Sequence, residues 1–294
     1  MARILVCGLL NVETTLNVHS FPVEYSPIEY PFNQVGNFIG GVGFNVAKSL
    51  RTLGDDVHLC SYLGNDLAAQ EILFALRQAD IDSSRILFEA SETPLSVVLY
   101  DQDGDRKIYC DLKDVQEKAY PSENIIFREY DLVVLANANF SRPLLFKAQE
   151  AGCKVATDVQ AIQDIHDPYN TDYMAHSDIL FFSNVCIEGR EEEFARQVYQ
   201  TYHNEILGIG LGKQGALLYI GAEDRFYFSP AKNPRPVVST VGAGDALFSC
   251  FVHFIAKGFP VEKALDLATL YAGYKVGEKG ASVGFLSEKE LMNL

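Results

Sequence analysis

Residues 239–258 read STVGAGDALFSCFVHFIAKG, a glycine turn opening onto a run with almost no polar face. A helix over Ala243–Lys257 would be apolar nearly all round, so it has to lie inside a larger core. Gly258 and Pro260 supply its stop. The turn before it leaves backbone N–H groups free at the positive end of the helix dipole, a place for an anion such as a phosphate. Asp245 stands in the first helical turn, beside those groups. A carboxylate there would repel a bound phosphate, yet it can take the proton from an alcohol that attacks a phosphoryl group. The plain alternative is an ordinary helix start, where Asp is favoured anyway.

Outward from this helix, apolar runs of strand length alternate with helical patterns. Strands are expected at 3–9, 57–63, 131–136, 154–158, 178–182 and 206–211, and helices at 44–53, 67–78, 143–151, 191–202, 243–257 and 261–276. The helix from Phe44 puts Val46, Ala47, Leu50 and Leu53 on one face, with Gly54 to cap it. Such alternation predicts an α/β fold, a three-layer α/β/α sandwich around a mostly parallel sheet. No linker splits the chain, so residues 1–294 are expected to form one domain. Two segments break the pattern. Residues 12–38 carry Pro22, Pro27 and Pro31, and within 95–112 the runs SVVLY and RKIYC flank DQDGD, where Asp103-Gly104 is a hairpin turn signal. Both follow sheet strands, which favours a small β-sheet lid over a pocket at the strand ends rather than surface decoration.

Composition narrows the partners. A net charge of −15 argues against nucleic acid and anionic membranes. It leaves phosphate ligands open, because backbone N–H groups hold them without side-chain charge. No apolar run reaches the ~18 residues of a membrane span. Six scattered cysteines without a CxxC pair predict a reduced, cytoplasmic protein, and six histidines form no zinc pattern.

A second glycine site, Gly40-Gly41-Val42-Gly43-Phe44-Asn45-Val46-Ala47, lets backbone approach a ligand, with Asn45 able to offer its amide to a substrate hydroxyl. By itself it reads equally as a tight turn into a helix. Gly210-Leu211-Gly212-Lys213-Gln214-Gly215 matches GxGxxG but precedes ALLYI, a strand-like run, so it reads as a turn near a nucleotide rather than a dinucleotide fingerprint. Gln214 and Leu207 also exclude a Walker A loop.

Together these residues resemble the ribokinase-like (PfkB) carbohydrate kinases over nearly the whole chain: GGVGFNVA with Gly54 and Gly64, then STVGAGD where that family usually has DTxGAGD. The resemblance implies ATP as donor, Mg²⁺, a primary alcohol as acceptor, and often a homodimer formed through the lid. It makes Asp245 the catalytic base, Gly242, Ala243 and Gly244 the anion hole, and Gly41 and Asn45 substrate contacts. Glu13, in Asn11-Val12-Glu13, stands where the family often has an Asp that grips substrate hydroxyls, with Asn11 beside it. Gly210, Gly212 and Gly215 fall by the nucleotide, and Thr269, Ala272 and Gly273 in the region that usually meets adenine. The family's NxxE motif, which supports Mg²⁺ and phosphates through water, is represented by Asn184 and Glu188, with the Glu one residue late, a rotation of about 100° on a helix. Ser239 replaces an Asp that in many members helps bind a monovalent cation, which leaves potassium dependence open.

For the substrate, members of the family that act on phosphosugars generally need basic residues, Val42 stands where ribokinases and phosphofructokinases often carry Lys, and burying a phosphate without a cation is costly. An unphosphorylated substrate is therefore expected; the GGVGxNxA pattern and the hairpin DQDGDRKIYCDLKD look more like those of nucleoside and pseudouridine kinases than of fructokinases, so a nucleoside is the first expectation, with a simple sugar as the alternative. Arg106, Lys107 or Arg142 could still hold a phosphate. Phe32, Phe38, Phe44 and Tyr109 either stack a base or only pack the lid. Asn137 and Asn139, after LVVLA, are substrate-side candidates or turn residues. Two rival functions remain: a non-catalytic sugar or nucleotide sensor, and an oxidoreductase suggested only by the GxGxxG match.

Overall fold

A computed structural model describes residues 1–101 and 106–294. The expected turn at Asp103-Gly104 lies outside the described residues. In chain order the elements are β1 Arg3–Cys7, β2 Asn11–Asn17, β3 Val35–Gly40, α1 Val42–Leu53, β4 Asp56–Tyr62, α2 Leu67–Gln78, β5 Ile86–Leu87, β6 Leu95–Tyr100, β7 Arg106–Asp111, β8 Leu132–Leu135, α3 Arg142–Glu150, β9 Val155–Ala161, α4 Thr171–Ala175, β10 Ile179–Ser183, α5 Glu191–Tyr202, β11 Ile206–Gly210, β12 Gly215–Ile220, β13 Arg225–Pro230, α6 Ala243–Ala256, α7 Val261–Lys275 and α8 Glu288–Leu291.

The main sheet runs β13-β12-β11-β10-β9-β8-β1-β4-β5. It is parallel from β5 to β11, and β12 and β13 extend it antiparallel. Its strands bury both faces. On β1, Ile4 and Val6 face the layer of α1, α2, α6 and α7, while Leu5 and Cys7 face that of α3, α4 and α5. Each such side chain contributes roughly 1.5–3 kcal/mol by leaving water. The three-layer sandwich is therefore as the sequence predicts. So is the burial of α6, where residues Ala246–Phe254 are all buried. Gly54 ends α1 at φ 106°, its N–H reaching Leu50 O and Arg51 O.

The second sheet, ordered β3-β2-β6-β7, is built from the two segments that broke the helix–strand pattern. Within it β2 and β6 pair in parallel, a crossover that local periodicity does not reveal. Cross-strand partners point to the same side of a sheet. The registers Glu13↔Phe38, Glu13↔Ser96, Thr15↔Val98, Val98↔Ile108 and Tyr100↔Arg106 thus set one face. That face turns inward: Val98 packs on Val241 and Ala281, and Ser282 Oγ donates to Ile39 O at 2.8 Å. The strand β13 was missed by sequence reading; RFYFSP is a short sheet-edge strand with no clean alternation.

Candidate active site

The turn that starts α6 needs its glycine. Gly242 takes φ 77°, and a Cβ there would stand 2.4 Å from Ala281 O. One residue into the helix, a Cβ on Gly244 would meet nothing within 4 Å, so the space beside this residue is open, while the Ala243 N–H turns back to Thr240 O at 3.2 Å. Gly41 does the corresponding work for α1: at φ 88° its backbone lies so close to Leu9 that a Cβ would be 2.3 Å from Leu9 O.

Helices α1 and α6 then run side by side, joined by polar rungs. Asn45 Nδ2 donates to Asp245 Oδ2 at 2.7 Å. One turn further, Ser249 Oγ donates to Ser49 Oγ at 2.6 Å, and Ser49 also meets Tyr271 Oη of α7 at 3.0 Å. At the far end, His253 Nδ1 lies 2.7 Å from Asp55 Oδ2. These contacts fix the register in which the two glycine motifs, 200 residues apart, meet. The bond to Asp245 uses one of the two N–H groups of the Asn45 amide.

Burial raises the Asp245 carboxyl above its ordinary value, against the Asn45 hydrogen bond and the positive charges of Lys275 and Arg106. Glu13, on the inner face of the small sheet, is 7% exposed. Burial first, then the like charge of Asp245, raises it too, with Lys275 and Arg106 opposing. Lys275 was missed by sequence reading. It is fully buried, it donates to Val241 O, and burial pushes its ammonium down to about 8. Arg106 shares the inner face with Glu13 and acts electrostatically on all three groups.

Three acceptor atoms converge on this space without a partner among the described residues: Asn11 Oδ1, Glu13 Oε1 and Asn45 Oδ1. Asn11 Nδ2 is held by Ser96 Oγ at 2.9 Å, which aims its oxygen toward Gly40. An unmet buried acceptor costs roughly 1–3 kcal/mol. Three together can accept from the donors of a bound molecule.

At the end of β10, Asn184 Nδ2 donates to Glu191 Oε1 at 2.9 Å, not to Glu188, which is exposed. Glu191 was hidden in the run Glu191–Glu193, which reads as ordinary acidic charge at a helix start. Asp158, in the middle of β9, has its carboxyl pushed up to about 6, chiefly by burial and with Asp245 adding to it. Gly210, Gly212 and Gly215 belong to a turn between antiparallel β11 and β12, so the GxGxxG match is no dinucleotide fingerprint. Ala231 N ties that turn to the chain near α7 through Gln214 O at 3.0 Å. On α7, Thr269 is buried with its hydroxyl against Ser229 Oγ at 2.9 Å, and Ala272 is partly buried.

Other candidates lie elsewhere. Asn139 is engaged at both ends, by Gln116 O at 2.5 Å and Arg142 Nε at 3.1 Å, and Asn137 by Asn170 Oδ1 at 3.1 Å. Arg142 binds Asp172 at 2.7 Å. Phe44 is core and Phe32 is 80% exposed, whereas Phe38 faces inward over Gly280. Among the described residues no group of three or more His, Cys, Asp or Glu side chains is arranged to hold a metal ion. Among the described residues no helix is long and apolar enough to cross a membrane.

Comparison with known proteins places this geometry in context. Residues 1–288 match the profile described as pfkB family carbohydrate kinase. A nucleoside kinase of Methanocaldococcus jannaschii is 22% identical over 286 residues, covering 95% of this chain and 92% of that protein. The bifunctional protein HldE of Sulfurimonas denitrificans is 24% identical over 98% of this chain, which spans only 63% of that relative's length. Among solved structures, a microbiome-derived acarbose kinase superposes with a TM-score of 0.89 at 21% identity, covering 100% of this chain and 99% of its own.

Proposed function

Because the chain belongs to the pfkB family of carbohydrate kinases, we propose that it moves the γ-phosphoryl group of ATP onto a primary hydroxyl of an unphosphorylated nucleoside or sugar. The carrying observation is the trio of unpartnered acceptors, Asn11 Oδ1, Glu13 Oε1 and Asn45 Oδ1, gathered beside Asp245 at an open helix N-terminus. Substrate hydroxyls donate to these atoms and are thereby oriented. Asp245 takes the proton of the attacking hydroxyl; its raised proton affinity brings it closer to the pH of use. The N–H groups of Gly242 and Gly244 stabilise charge on the phosphoryl group in flight, the Ala243 N–H being held by Thr240 O. The nucleotide lies along the 210–215 turn and the Thr269–Ala272 stretch of α7.

Mg²⁺ suits this donor set as an ion that keeps its waters and leans on phosphates plus one or two carboxylates. Asp158, whose buried carboxyl a cation would relieve, and Glu191, held by Asn184, are the residues to hold it, in place of Glu188. When bound, the ion would neutralise phosphate charge. The small sheet serves as the lid, and its outer face pairs with a second copy of the chain.

The test is a screen of ribonucleosides and sugars with ATP and identification of the product. Asp245→Asn is expected to lower kcat by about 10³-fold or more, with ATP binding by calorimetry preserved. Undiminished turnover removes Asp245 from its role, and binding without turnover of any compound favours a sensor. Inward-facing Arg106 favours one second reading, an acceptor that carries a carboxylate or phosphate. In that case Arg106→Gln raises KM for the anionic acceptors alone.

A further inference from the structure

Lys275 closes α7 with a side chain wholly shut off from water, and its ammonium donates to Val241 O in the loop that enters the α6 turn. The next residue continues the clamp: Val238 N and Ser239 N both donate to Val276 O, at 2.7 and 3.0 Å. Directly after this loop comes Gly242, pressed against Ala281. Residues 238–242 are therefore strapped to 275–281, and Lys275 is the charged member of the strap. Burying an ammonium costs several kcal/mol before any pairing is counted. Here the cost is offset by a carbonyl dipole and by the negative charges of Asp245 and Glu13.

A monovalent cation, which the family resemblance brings to this loop, does not fit the residues present. Ser239 offers no carboxylate, and the Val241 carbonyl is already taken by an ammonium whose charge would repel a second cation.

We propose that Lys275 is a built-in cation: a positioning residue that fixes the 238–242 loop, and with it the anion hole, so that phosphoryl transfer needs no added monovalent cation. This rests on the kinase reading above. It differs from ordinary core packing because the essential property is positive charge at one carbonyl, not volume.

The experiment compares potassium chloride with choline chloride at equal ionic strength, for wild type and Lys275→Met, reading both turnover and calorimetric ADP binding. Wild type is expected to differ less than about fivefold between the salts in either readout. The variant is expected to lose about 100-fold in turnover through misplacement of the turn, and to regain part of it, with tighter ADP binding, in potassium but not in choline, since a bare potassium ion suits freed carbonyl oxygens. Activation of wild type by potassium beyond that margin overturns the proposal, as does a variant with unimpaired turnover or one that potassium does not rescue. Should Lys275→Met fail to fold, the wild-type comparison decides alone. Should no hydroxyl compound be turned over, ADP binding that is potassium-independent in wild type and potassium-dependent in the variant upholds Lys275 while the kinase reading falls.

Discussion

At the scale of single residues, two groups of opposite sign share one pocket and should shape the pH response together. Asp245 must be ionised to accept a proton, and burial raises its pKa, so the acid limb of kcat should lie above the ordinary carboxylate range near 3.9. Lys275 must be protonated to hold the loop, and its ammonium titrates at about 8, facing Asp245, Glu13, Arg106 and Arg235. Turnover should therefore fall as pH rises through about 8. Stability moves the other way. Between about 8 in the folded chain and the ordinary lysine value of 10.5, the unfolded chain binds the extra proton, so this group's share of stability grows with pH. The check is kcat against pH, with urea midpoints for wild type and Lys275→Met; the difference between the two proteins should widen in favour of wild type from pH 8 to pH 10. Asp245 stood out in the sequence only through its company, a glycine turn before it and a second glycine motif 200 residues earlier, since Asp alone is ordinary at a helix start. Lys275 left a fainter trace: it sits four residues after Tyr271 and seven after Ala268, on the stripe of α7 that is otherwise buried and uncharged. A charge on an apolar stripe is a signal, but its partner, a backbone carbonyl 34 residues away, has no signature in any window of sequence.

At the scale of elements, the site is where two helix N-termini are held in register by the rungs Asn45–Asp245 and Ser49–Ser249. The elements themselves were largely readable. The bounds of α2 match expectation, its start marked by Asp66, whose side chain accepts from Ala69 N at 2.9 Å. α5 also matches, with Glu191–Glu193 filling its first turn. What periodicity cannot carry is register between distant elements, since a rung is made by one residue on each helix. The two glycines of the α6 turn separate fold from function. Gly242→Ala would strain a left-handed backbone and collide with Ala281 O, so it should cost about 1–3 kcal/mol of stability. Gly244→Ala places a methyl in open space, where the proposed function puts the phosphoryl group. It should leave the urea midpoint unchanged or slightly raised, Ala being the better helix former, while turnover should fall steeply under the proposed anion-binding role of this turn. Thermal melts paired with kinetics would distinguish them. Equal loss of stability in both variants would contradict the open space beside Gly244.

At the scale of the whole molecule, the small sheet presents two unlike faces. Its inner face carries Glu13, Phe38 and Arg106 toward Asp245, whereas its outer face exposes Leu95 and Val97 at 42% each and Tyr109 at 51%. Strand β7 is also a sheet edge whose residues are all exposed. Long exposed edges invite pairing with another strand, and at the opposite edge the loop between β2 and β3 exposes Tyr25, Tyr30 and Phe32 at 93%, 74% and 80%. A chain of net charge −15 keeps such a surface from sticking at random, while the face itself carries Lys107 over the Tyr109 ring at 5.0 Å. An isologous contact fits these features: one patch, self-complementary, met by its own copy across a two-fold axis. Sedimentation equilibrium of the wild type should then return a dimer at micromolar concentration. Tyr109→Glu, which adds charge at the centre of the patch without touching the core, should shift it toward monomer. Because the same strands hold the inner face, the monomeric variant should also bind acceptor more weakly while ADP affinity is unchanged. A wild type that sediments as a monomer throughout the concentration range would sink the pairing and leave the outer face as lid surface only.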